Sequence, residues 1–130
     1  MRNAIAVACV GLALVAAGAA RAQTPDISGV WHVQGHLASG RFVEDAMPTC
    51  NFVQNGGVLS GECVGPAGRG PLSGAIAGDK VSWTWSHVAT AVNGVTGQTQ
   101  FNGTYVNSQL IKGSMTSSLI PGVGDFVQTR

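Results

Sequence analysis

An all-β chain, closing as an eight-stranded antiparallel up-and-down β-barrel after a cleaved signal peptide, is what these 130 residues predict. Three observations carry that expectation. Apolar and polar residues alternate with period two in short runs separated by glycine-rich turns, and no helix-period segment survives beyond the N-terminal leader. Lone glycines at 61, 74, 103 and 113 fall inside those runs, where they weaken a straight strand and mark bends. Cys50 and Cys63 land opposite one another when the hairpin between them is folded about Gly56-Gly57.

The leader comes first. Arg2 precedes an apolar run from Ala4 to Ala20 that ends in Ala20-Arg21-Ala22, the small-x-small pattern of a signal-peptidase site, so cleavage is expected after Ala22. The run is short for a membrane span of about 20 residues. Residues 1–22 are therefore read as a signal peptide and 23–130 as one β-barrel domain, periplasmic or secreted. Cys9 leaves with the leader, and the remaining pair in an exported chain implies one disulfide. Without Arg2 and Arg21 the seven basic residues become five against six acidic ones. That balance gives no electrostatic footprint for nucleic acid or an anionic membrane.

Strand one, Ile27 to Gly35, places Trp31 and Val33 on one face and His32 and Gln34 on the other. Residues 36–49 hold Ser39-Gly40 and Pro48 without clean alternation and read as a long loop, with at most a short strand at Arg41-Phe42-Val43. The Gly56-Gly57 hairpin pairs Asn55 with Val58, Gln54 with Leu59, Phe52 with Gly61 and Cys50 with Cys63. Five steps out from the turn, the cysteines form a close, non-hydrogen-bonded pair suited to a cross-strand disulfide. The loop Gly65 to Pro71 follows.

Leu72 to Ile76 and Val81 to His87 make the next hairpin around Gly78-Asp79, with Gly74 facing Trp83 so that the indole lies over bare backbone. Val81, Trp83, Trp85 and His87 share one face. Asn93-Gly94 marks a turn, and a bulge at Gly97 is expected to bring Phe101 alongside Trp85. Thr99, Phe101, Gly103 and Tyr105 then face inward, Tyr105 pairs with Ile111 across the loop 107–109, and Asp125 to Thr129 closes the barrel after Pro121-Gly122. The connections at 55–58, 77–80 and 107–109 are tight, whereas 36–49, 65–70, 88–98 and 119–123 are mostly longer. One end is therefore sealed by turns and the other rimmed by loops. Glycine and alanine at many inward positions favour an interior that holds one small ligand.

Several short motifs resemble the avidin and streptavidin family of the calycin barrels, which include lipocalin-like relatives. They are Gly29-Val30-Trp31 opening strand one, Gly57-Val58-Leu59-Ser60-Gly61, Leu72-Ser73-Gly74, Phe101-Asn102-Gly103-Thr104-Tyr105-Val106 and Gly124-Asp125-Phe126. The resemblance implies a cup-shaped barrel with a ligand in its mouth. Thr99 matches a hydroxyl of the family's biotin site, and Asp125 lies within a residue of its acidic group. Val33, Cys63, Phe101 and Met115 stand where that site has Asn, Tyr and two Trp, so a biotin-like ligand is the part of the resemblance this chain supports least. The family's association through strands seven and eight implies a homo-oligomer, to which the outward Lys112 and Ser114 add little.

The expected ligand site is an aromatic wall of Trp85, Phe101 and Tyr105, backed by Trp31 and Trp83, with His87, Thr99 and Asp125 fixing a polar end. The function that follows is non-catalytic binding of a small apolar or aromatic molecule, with no cofactor and no metal. Two alternatives stand beside it: a small barrel enzyme of isomerase or cyclase type using His87 and Asp125 as an acid-base pair, and a secreted protein-binding or inhibitor module acting through loop 65–71 or hairpin 88–98. His32 and His36 lie roughly 13 Å apart at strand rise, too far to share a metal. Glu44-Asp45 reads as a solvated acidic patch.

Overall fold

The computed structural model describes residues 23–89 and 95–130; the leader and the Asn93-Gly94 turn lie outside them. Among the described residues nine strands form one antiparallel sheet: β1 (Gly29–Ser39), β2 (Phe42–Ala46), β3 (Thr49–Asn55), β4 (Val58–Gly65), β5 (Gly68–Ala77), β6 (Lys80–Ala89), β7 (Val95–Asn107), β8 (Leu110–Ser117) and β9 (Gly124–Thr129). Neighbours in sequence pair along the sheet from β3 to β9, and β1 closes the ring between β9 and β3. This is the expected eight-stranded closed barrel with one strand added.

The addition corrects the reading of 36–49 as a loop. β1 runs on to Ser39 and turns back through Gly40, at φ +62°, so that Ser39 pairs with Phe42 and Gly35 with Ala46. On the same edge β1 pairs residues 29–32 with β3. β2 and β3 are thus one long strand interrupted at Met47-Pro48, where Pro48 lacks an N–H but its carbonyl still accepts from the Val33 amide at 2.9 Å. The proline hid the strand in the sequence because it breaks the alternation at its middle.

The disulfide hairpin has the expected register throughout, from Asn55–Val58 to Cys50–Cys63. Gly56 takes φ +64° at its turn. The cysteines are bonded, fully buried and 4.0 Å apart at Cα, the close spacing of a non-hydrogen-bonded pair. The β5–β6 hairpin also keeps its register, with Ile76 against Val81 and Gly74 against Trp83. The β6–β7 pairing does not. It is regular from Ala89–Val95 to Lys80–Thr104, with no bulge at Gly97, so Trp85 faces Thr99, and Phe101 faces Trp83.

The interior is filled by large side chains. Phe52, Trp83, Phe101 and Phe126 form a continuous aromatic layer across the barrel, with Phe52 edge-on to Trp83 at 5.0 Å, Trp83 stacked on Phe101 at 4.1 Å and Phe101 edge-on to Phe126 at 5.0 Å. The inward glycines make room for these rings. A Cβ at Gly103 would lie 2.8 Å from Phe126 Cζ, and one at Gly74 would meet the backbone of β6, 2.6 Å from Trp83 Cα. The small residues that favoured an empty interior therefore accommodate aromatic bulk.

The turn end is sealed as expected. Ile27, fully buried, enters the barrel there, and its amide donates to Gln54 Oε1 at 2.8 Å while its carbonyl accepts from Trp31 Nε1 at 2.9 Å. Arg130 lies over the Trp31 ring at 4.3 Å and donates to the carbonyls of Ser28 and Ser108. No helix among the described residues is long and apolar enough to cross a membrane.

Candidate functional site at the barrel mouth

The face shared by Trp85 and His87 on β6 continues past the aromatic layer toward the opposite end. Strand alternation sets both side chains inward, and their rings lie 4.3 Å apart at 35°. His87 is only 4% exposed; its Nε2 lies 3.3 Å from the Thr99 hydroxyl on β7, itself fully buried. The connection from β8 to β9 folds over this end. Ile120 packs against the core, Gly122 approaches Leu37 and Ser39, and the Leu119 side chain closes on Gly97 beside the His87 ring.

Across the mouth from β6, β2 contributes Glu44. Ser117 Oγ on β8 donates to Glu44 Oε1 at 2.8 Å. Glu44 Oε2 is buried with no partner among the described residues, as are His87 Nδ1 and Trp85 Nε1. Burial holds the His87 imidazole below its ordinary pKa, and the Glu44 carboxylate opposes that effect without overcoming it. Deeper in the barrel, Trp83 Nε1 and both amide atoms of Gln128 are also buried without a partner.

The structure brings together three of the eight expected site residues: Trp85, His87 and Thr99. Phe101 and Trp83 belong to the central layer and Trp31 to the sealed end, all three buried. Tyr105 is also at the sealed end, half-buried, with its amide donating to the Asp79 carbonyl at 2.7 Å. Asp125 is on the wrong face. β9 pairs so that Gly124, Phe126 and Gln128 point inward, while Asp125, opposite His36, is exposed and lines an outer depression of about 460 Å³ with His36 and Asp45. A His87–Asp125 acid-base pair therefore does not form.

Glu44 at the mouth and Gln128 in the core are the inward polar residues that sequence reasoning missed. Once β2 is recognised as a strand, Glu44 shares the parity of the buried Ala46 and must point inward, whereas Asp45 points outward and meets His36 Nδ1 at 2.6 Å. For Gln128, the signal was its period-two spacing from Phe126. His32 and His36 are outward and exposed as expected, and among the described residues no three His, Cys, Asp or Glu side chains are grouped to hold a metal. No family model, no curated protein and no solved structure matches this chain.

Proposed function

We propose that the protein is an exported, non-catalytic barrel that holds a small molecule in its mouth, under the β8–β9 connection, with Trp85 and His87 as wall and polar anchor. The observation that carries this reading is the gathering of three buried polar atoms without protein partners, Glu44 Oε2, His87 Nδ1 and Trp85 Nε1, at one end of an otherwise packed barrel. A buried polar group left unpaired costs about 1–3 kcal/mol, and a ligand supplying the missing partners recovers that cost on binding. Export is supported by the apolar leader with its Ala20-Arg21-Ala22 end and by the buried disulfide.

The ligand is smaller and more polar than the aromatic composition alone suggested. A molecule seated on the barrel axis would have to displace the Phe52–Trp83–Phe101–Phe126 layer. The direct test is native mass spectrometry of the protein exported by its own host. The expected result is a discrete added mass on the wild type, lost in Trp85→Phe and in His87→Leu while both variants keep the disulfide. A bare mass for the wild type, or an added mass retained by both variants, overturns the proposal.

A further inference from the structure

We infer that the mouth takes a ligand bearing a protonated primary amine, held between Glu44 Oε2 and His87 Nδ1. This inference rests on the mouth being the binding site and adds the chemical class of what enters it. Glu44 is the charged side chain that β2 turns into the mouth, and its only hydrogen bond among the described residues comes from the Ser117 hydroxyl, which leaves Oε2 without a donor. The cations of this end point elsewhere. Arg41 sits over the exposed Phe42 ring at 5.8 Å on the outside of the β1–β2 hairpin, and Arg69 is exposed on β5 opposite the exposed Val88. Among the described residues the one close contact between a basic and an acidic side chain is His36–Asp45, on the outer wall.

The imidazole supplies the second acceptor. In the tautomer whose Nε2–H donates to the Thr99 hydroxyl, 3.3 Å away, the ring presents a lone pair at Nδ1, which has no partner among the described residues. A neutral imidazole is the form that burial favours, so the ring does not itself neutralise Glu44. A carboxylate oxygen and an imidazole nitrogen together suit an ammonium, which carries three donors and no acceptor. An anionic ligand would meet the Glu44 charge, and a neutral alcohol would satisfy one of the two acceptors with its single proton. The Trp85 Nε1–H is a donor and suits an oxygen acceptor elsewhere on the same ligand.

Three matched probes test this: 2-phenoxyethylamine, 2-phenoxyethanol and phenoxyacetate, each with one ring and one ether oxygen and differing in the charged or polar end. Binding is read from the indole N–H resonance of Trp85 in ¹H–¹⁵N spectra of the exported protein, assigned by its loss in Trp85→Phe. The amine is expected to reach its midpoint at a concentration at least about tenfold below the alcohol, with phenoxyacetate weaker still, as a charge-assisted hydrogen bond requires. Glu44→Gln is expected to erase the preference for the amine. Equal midpoints for amine and alcohol overturn the amine assignment and leave the mouth as a binding site. A preference that survives in a folded Glu44→Gln overturns it too, and if Glu44→Gln does not fold, the wild-type ranking of the three probes decides. No movement of the Trp85 resonance with any probe overturns both the amine assignment and the mouth site.

Discussion

Replacing Gln128 with Met should stabilise the protein. Gln128 is fully buried on β9, facing inward between Val33 of β1 and Ile111 of β8, and neither its Oε1 nor its Nε2 has a partner among the described residues. An amide taken from water without compensation costs about 1–3 kcal/mol by mutational measures. Methionine has similar length and volume and no polar atom to satisfy, so the exchange opens little cavity and adds little strain. A gain of about 2 kcal/mol is expected, which for a domain of this size raises Tm by roughly 8 °C. In urea the midpoint should rise with an unchanged m-value, since the surface exposed on unfolding is the same. A loss of stability in Gln128→Met would show that the amide is bonded inside the folded barrel in solution. That result would refute the reasoning that treats unpaired atoms in this interior as open valences.

Three further outcomes follow from the geometry. Reduction, or the double change Cys50→Ala with Cys63→Ala, releases a crosslink spanning 13 residues of sequence separation and should cost about 3 kcal/mol in urea denaturation; an unchanged midpoint would refute it. Burial lowers the His87 pKa, so below about 6.5 the unfolded chain takes up protons that the native state refuses; stability is full above that pH and is lost as pH falls toward the folded value. Between about pH 7.5 and 5 the wild type should therefore lose more stability than His87→Leu, and equal losses would count against the buried neutral ring. Arg130→Ala should lower stability by about 1–2 kcal/mol through loss of the stack on Trp31 and two bonds to carbonyls, with Arg130→Lys recovering only part because an ammonium lacks the planar fork. Full recovery by lysine in thermal melts would show that charge alone matters there.

The parts of the barrel legible in the sequence were those where turn chemistry and alternation agree. Gly56-Gly57 and Gly78-Asp79 fix two hairpins whose loop length leaves one register, and the disulfide and the Gly74–Trp83 pair followed from counting outward. Register was lost where the turn did not specify it. Counting from Asn93-Gly94 with a bulge at Gly97 put Phe101 beside Trp85, while the actual pairing is regular and places it beside Trp83, two residues deeper and in the core. Parity failed at β9 because Phe126 and Val127 are both apolar, so hydrophobicity does not say which faces inward, and the wrong choice placed Asp125 in the mouth and hid Gln128. Glu44 was concealed by Pro48, which disguised a strand as a loop. In each case the missing information was a neighbouring strand, which the local sequence does not contain.

The contrast between the two ends is the physical basis for placing function at the mouth. At the sealed end Gln54 accepts from the Ile27 amide and donates to the carbonyls of Pro25 and Gly56, and Trp31 donates to Ile27, the exception toward that end being the unpaired amide of Gln128. Both ends are built from the same strands. A sequence indifferent to the mouth had the same means to pair its polar atoms there as at the other end. Instead β2 turns a carboxylate inward, β6 places an imidazole and an indole across the mouth from it, and one atom of each remains without a partner among the described residues. If Gln128→Met stabilises the barrel, unpaired atoms are real costs in this interior, and three of them concentrated at the mouth then call for a ligand rather than for a flaw in packing.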